Sequence, residues 1–359
     1  MPLLTHPPDT DLLLPRPSAA ETWDPHTIHT HYFGFSVPEA EIGVFVYLRS
    51  QPVFGLCTGG VCIFRGLHNL LPLGIEHLDW IVTMPYPEFV QSPGAGGVPT
   101  ASITTVNGLR IEFLELGRVV RLSYADADGA TSFDVTQTAV TPLLVRGHVM
   151  PGEDRDTDPA QRPGGSEQFL HCVGELVVNG ERHAVDCHPI RDRSWRQVRS
   201  EREVVHPPVA WSPMRFGDDL MFNQVGFEAP DTGPAWEGLF DVAGDARTFH
   251  FGWVWTDGEA RNLTRVRRDV ARYHPDLFAA LEQDIEAEDE TGAVWRFHGR
   301  AVAMAHLPSW PNNFFVDAVY RWEDEAGRVC HCTYQEAWYR KFHRAMTRRL
   351  HLPPQRQPV

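Results

Sequence analysis

Lysine is almost missing from this chain of 359 residues: Lys341 is the one lysine among 32 basic residues. Schiff-base chemistry, pyridoxal phosphate included, would have to run through that one side chain. It sits in a charged run where desolvation is not expected. Long apolar runs are missing too, and no stretch approaches the ~20 residues that span a bilayer. The N-terminal stretch lacks the basic start and apolar centre of a secretory signal, so a cytoplasmic protein with reduced thiols is expected. The six cysteines include no C-x-x-C pair, which gives a zinc ribbon or thioredoxin site no support. Also missing are a G-x-G-x-x-G fingerprint, a P-loop, a G-x-S-x-G elbow and an H-E-x-x-H helix. Nucleotide cofactors and serine hydrolysis therefore have no support. Clustered positive charge is scarce, the formal net charge being −15, and phosphate binding needs a clustered basic face. This argues against nucleic acid as a partner, the basic tail around Lys341, Arg344, Arg348 and Arg349 being the one local exception, and no cofactor is expected.

What the chain does have is strand grammar. Short alternating or β-branched stretches, such as Ile42 to Leu48, Val119 to Tyr124 and Phe249 to Thr256, recur between turn residues at the spacing of an all-β sandwich or barrel. The sequence predicts an extended, Pro-rich arm over residues 1–20 and a β domain over 21–150. A Pro- and Gly-rich linker follows at 151–166, then a second β domain at 167–350. Leu277, Leu281 and Ile285, spaced by four, predict a short helix or turn near 275–285, and a basic closing helix is expected between Ala337 and Leu350.

The densest chemistry lies in Asp186-Cys187-His188-Pro189-Ile190-Arg191-Asp192-Arg193-Ser194-Trp195, just after a hairpin turning at Asn179-Gly180. Asp192 between two arginines has two readings. It is a structural ion pair under a core indole, or a carboxyl group poised for acid–base work, since burial and neighbouring guanidiniums pull it in opposite directions. His188, Arg191, Arg193 and Trp195 are candidate substrate contacts with it. Glu336, which ends an apolar strand beside Trp338, is the second candidate acid. Trp211, Asn223, Trp253 and Trp338 are candidate lining residues of an aromatic cavity for a hydrophobic small molecule. His26, His29 and His31, and separately Cys330 and Cys332, have metal-binding side chains but no complete ligand set in view.

The stretch Trp23…His31-Tyr32-Phe33-Gly34-Phe35-Ser36-Val37-Pro38-Glu39-Ala40, continued by Ile42-Gly43 and Tyr47-Leu48-Arg49, resembles the opening of the carotenoid 1,2-hydratase/AttH-like tandem lipocalin superfamily. Val185 to Trp195 resembles that superfamily's Arg-Asp-His-Ser-Trp-Gly motif, with Arg193 where His is usual and Arg196 where Gly is usual. Gln335-Glu336 sits where related sequences end with a similar Glu-containing strand. The resemblance, spanning most of residues 22–340, implies two tandem lipocalin-like antiparallel β-barrels with short helices. It also implies a hydrophobic substrate and a cofactor-independent lyase or isomerase (hydratase, dehydratase or cyclase). Asp192 and Glu336 would be its acid–base residues. The alternative is a carrier of such a molecule, without catalysis.

Overall fold

The computed structural model describes residues 5–69, 74–93, 99–146, 163–198, 208–228, 249–307 and 313–351. The first sheet is laid down by β1 (Thr27–Val37), β2 (Ile42–Gln51), β3 (Leu56–Arg65), β4 (His77–Pro85), β5 (Val90–Pro93) and β6 (Pro99–Thr104). It continues with β7 (Arg110–Glu115), β8 (Val119–Ala125), β9 (Ser132–Ala139), β10 (Leu144–Val145), β11 (Gly164–Val178), β12 (Glu181–Cys187) and β13 (Ile190–Val198). The order along the sheet is β4-β3-β2-β1-β13-β11-β9-β8-β7-β6-β5, an open curl whose inner face buries Phe33, Phe35, Val44, Val46, Ile111 and Phe113. The expected hairpin is present: Val178 pairs with Glu181, and Asn179 and Gly180 turn at φ 50° and 84°. Both values lie in the left-handed region that a two-residue turn of this type requires.

The second sheet comprises β14 (Val209–Trp211), β15 (Met214–Arg215), β16 (Leu220–Phe227), β17 (Phe249–Thr256) and β18 (Glu259–Tyr273). It is completed by β19 (Ala280–Asp289), β20 (Val294–Leu307), β21 (Asn313–Asp324) and β22 (Val329–Tyr339). Because β14 pairs with both β22 and β16, eight antiparallel strands close into a barrel. Closure removes the free edges that an open sheet leaves. Inside it, Gly299 makes room for an indole, since a Cβ there would lie 2.2 Å from the ring of Trp322. The closing helix is α1 (Arg340–His351), which packs Phe342 and Met346 on Phe278 and Trp338. The all-β class is therefore what the chain has, with one closed antiparallel barrel and, where a second barrel was expected, an open curled sheet.

Two details differ from the sequence reading. The region expected to be a short helix or turn near 275–285 is a turn at 275–277 and then enters β19, not a helix. A spacing of four is even, so Leu281 and Ile285 share one face of a strand as readily as of a helix, and Gln283 and Ala287 are buried with them. The division between units also lies further on. The chain forms two compact units, Pro2–Gly66 with Leu73–Ser200, and Leu67–Pro72 with Glu201–Val359. Of the linker expected at 151–166, residues 151–162 lie outside the described residues. Gly164, Gly165 and Ser166 are already in β11, which pairs with β9 and β13, and β13 pairs with β1. These long-range pairings bind residues 164–198 to the N-terminal unit. Among the described residues, no helix is long and apolar enough to cross a membrane.

Candidate active site

Successive side chains of a strand point to opposite faces, so β13 divides its own motif. Arg191 and Arg193 share a face with their β1 partners Phe33 and His31, while Asp192 shares the other with Tyr32 on β1 and Glu167 on β11. The two arginines thus leave the strand on the face opposite to Asp192. On the inner face, Arg191 donates Nη2 to the Asp11 carboxylate at 3.0 Å and Nε to Gln168 Oε1 at 2.8 Å. Arg193 donates to the carbonyls of Thr10, at 2.6 Å, and of Asp11 and Leu13. Burial, with Arg191 nearby, lowers the affinity of the Arg193 guanidinium for its proton against the pull of Asp11. The expected N-terminal arm accordingly contains a 3-10 helix, Pro8–Leu12, whose Thr10 and Asp11 are buried.

Asp192 looks onto a different surface. Its cross-strand neighbour Glu167 is 2% exposed, and cross-strand Cβ atoms lie about 4.5–5.5 Å apart. Arg146 Nη1 stands 3.9 Å from Asp192 Oδ2. The pairing of β1 to β4 puts Tyr32, Phe45, Tyr47 and Trp80 on this same face. Their rings form a continuous series: Tyr32 to Phe45 at 5.3 Å, Phe45 to Tyr47 at 5.3 Å and Tyr47 to Trp80 at 6.3 Å. The buried Nε1 of Trp80 has no hydrogen-bond partner among the described residues. Two carboxyl groups beside an aromatic series can move a proton and shelter a cation.

The other motif residues have quieter surroundings. His188 stacks on His171 at 4.8 Å, and His171 bonds the exposed Asp186. Trp195 is buried, with its indole edge against His6 at 5.2 Å. Arg196, where glycine is usual in the resembling motif, has φ 52° and donates its N–H to His29 Nδ1 at 2.9 Å. A left-handed backbone there gives a physical reason for the glycine. His29 in turn donates Nε2–H to Pro15 O at 2.9 Å, so both ring nitrogens are engaged as in a neutral imidazole. Burial holds its pKa down at about 4. Among the described residues, no three His, Cys, Asp or Glu side chains are grouped to hold a metal.

In the C-terminal barrel, Glu336 is enclosed by donors. Tyr334 OH at 2.5 Å and the Ala280 N–H at 3.0 Å reach Oε2, and Trp338 Nε1 reaches Oε1 at 2.8 Å. Arg268 Nη2 lies 3.9 Å away and donates to Tyr334 OH at 2.7 Å. Burial works against the Arg268 charge, but Tyr334, Glu336 and Glu228 more than offset it and its pKa rises. Burial, with Glu336 alongside, pushes the Tyr334 phenol well above its ordinary range, so the hydroxyl keeps its proton. Glu336 therefore serves as an acceptor. Trp211 donates Nε1–H to Asn223 Oδ1 at 2.9 Å, and Asn223 pairs across strands with Trp253, so these three predicted residues do come together. Asp192 and Glu336 belong to different units.

Sequence reasoning missed Glu167, Asp11, Arg268 and Tyr334. Tyr334 was within reach, since a spacing of two places it on the face of Glu336. The others depend on strand register or on contacts across most of the chain.

No curated protein sequence matches this chain. Among solved structures, it is similar to CghA at 12% identity and a TM-score of 0.49, over 94% of this chain and 97% of that one. It is similar to kievitone hydratase from Nectria haematococca at 11% identity and a TM-score of 0.49, over 95% and 98% of the two chains. A third similarity is to a protein assigned to the AttH type from Nitrosomonas europaea, at 12% identity and a TM-score of 0.44, over 91% and 100%. The profile of a family described as a domain of unknown function, DUF7064, matches residues 88–340, and the chain belongs to that family.

Proposed function

We propose that this protein is a cofactor-independent lyase or isomerase (a hydratase, dehydratase or cyclase) for a hydrophobic, terpenoid- or polyketide-like molecule. The observation that carries the proposal is the neighbouring pair Asp192 and Glu167 on a face lined by Tyr32, Phe45, Tyr47 and Trp80. Two adjacent carboxyl groups favour keeping one proton between them, because like charges cannot both ionise cheaply. Arg146 draws the negative charge to Asp192. Glu167 is then the proton donor to an alkene carbon or a departing hydroxyl, and Asp192 takes the proton released from carbon or water. The π faces of the aromatic series stabilise positive charge developing between these steps. A passive carrier gains nothing from a buried Glu167 beside the half-buried Asp192 and loses stability by holding it. In the second unit Trp338 donates to Glu336 and Trp211 donates to Asn223, the cross-strand partner of Trp253. His188, Arg191, Arg193 and Trp195 hold the motif strand in place. The six cysteines are buried thiols, as expected in a reducing compartment such as the cytoplasm.

The test is incubation of purified protein with a hydrophobic metabolite extract in D2O, or in H2(18)O, followed by mass spectrometry. Catalysis by proton transfer places deuterium on carbon, or adds labelled water, in one compound without any added cofactor. A compound that co-purifies and returns unlabelled would make the protein a carrier.

A further inference from the structure

The Asp11 carboxylate sits in a site built for it. It receives Arg191 Nη2 at 3.0 Å and the Gly117 N–H at 2.6 Å, and Gln168, which orients Arg191, is itself anchored to the carbonyls of Gly117 and Thr141 at 2.8 Å. Three residues on, Leu14 packs against the apolar core of the first sheet. Head and body of this segment thus have the chemistry of an apolar acid. Between the Thr5–Leu144 bridge and the Pro15 carbonyl that His29 holds, the Thr10–Leu13 stretch is fixed through its backbone carbonyls to Arg193, without strand pairing. Beside it is a small cavity bounded by Asp11, His31, Phe33, Phe113 and the Arg191-Asp192-Arg193 stretch of β13, with Ser166 of β11. His31 is 1% exposed, and neither of its ring nitrogens has a hydrogen-bond partner among the described residues. A buried donor and acceptor left open is costly unless something fills the role.

We infer that the Asp11–Leu14 segment is a displaceable occupant, and that the site floored by Arg191, Gln168 and Arg193 binds the carboxylate of an apolar monocarboxylic acid when the arm withdraws. Withdrawal removes one negative charge from beside two guanidiniums, and a ligand carboxylate restores it. His31 supplies the second contact to the head group, and the chain of the acid lies against Phe33 and Phe113 in the space given up by Leu14. The inference does not depend on the proposed chemistry at Asp192: that residue also borders the cavity, but its side chain alternates with those of Arg191 and Arg193 along β13 and makes no part of the carboxylate contacts invoked here.

The experiment uses the full chain with dodecanoate as probe and dodecanol as its neutral counterpart. Hydrogen exchange is followed over the arm, where the Thr10 and Leu13 amides bond to Pro7 O and Thr10 O. Dodecanoate is expected to bind and to speed exchange of these amides, while dodecanol does neither. Asp11→Asn, which weakens the competing arm, is expected to tighten dodecanoate binding about tenfold, because affinity falls with the fraction of competent state. Arg191→Gln is expected to abolish it. Equal binding of acid and alcohol, binding with unchanged arm exchange, or no binding of either probe would overturn the inference. The wild-type exchange result decides the matter even where a variant fails to fold.

Discussion

Replacing Glu336 with leucine is expected to destabilise the protein by about 3–5 kcal/mol, the cost of leaving the partner of a buried pair uncompensated. The change strands the Arg268 guanidinium, which is fully buried, and removes the acceptor for Tyr334, the Ala280 N–H and Trp338. The Arg268→Met/Glu336→Leu double variant is expected to lose less than the sum of the single losses, since each removes the other's unpaired charge. Urea midpoints of the four proteins measure the coupling. Strict additivity, or a loss below about 1 kcal/mol for Glu336→Leu, would show that the network contributes no more than an ordinary hydrogen bond.

The second large effect is acid sensitivity at the N-terminal arm. Burial depresses the pKa of His29 from 6.5 to about 4 in the folded protein. The unfolded chain therefore binds more protons than the native one between these values, and stability falls as pH falls through that window. The His29 share of the loss is about 3 kcal/mol by the time pH reaches the folded value, at about 1.4 kcal/mol per unit. A protonated ring could no longer accept the Arg196 N–H, so the loss is local to the segment that His29 ties to Pro15. His31, also held neutral by burial and then by Arg193, adds to the same trend. Stability measured from pH 7 down to 4 should fall more steeply for the wild type than for His29→Gln. Parallel curves would mean that His29 is not held neutral.

Much of the fold was legible in the sequence, and the reason is local. Period-two alternation, the Asn179-Gly180 turn and the basic end of α1 are written within a few residues of one another. What was not legible depends on distance along the chain. Arg191 and Asp11 are 180 positions apart, and nothing near Asp192 announces that Asp11 takes its neighbours. The same holds for β11 and β13, whose partners decide that residues 164–198 complete the first sheet rather than begin the second. The β19 strand was hidden differently. Its inward positions include Gln283 and Asp289, both buried, so the apolar alternation is broken by polar side chains that find partners inside. The alternation of Arg191, Asp192 and Arg193 could have been read at once: a strand cannot turn all three to one side. That simple rule separates the arm clamp from the candidate acid. The aromatic series beside Asp192 then needed the register of four strands to become visible.

The central claim is that Asp192 and Glu167 move the proton, and paired variants test it most directly. Asp192→Asn and Glu167→Gln keep shape and hydrogen-bonding atoms while removing the titratable group. The wild type, incubated with its hydrophobic substrate in D2O, is expected to place deuterium on carbon. Each variant should fall by at least the ~10²–10⁴-fold contribution of positioned acid–base groups, with a melting temperature within a few degrees of wild type and with ligand binding retained. Undiminished deuterium incorporation by a folded Asp192→Asn protein would contradict the account.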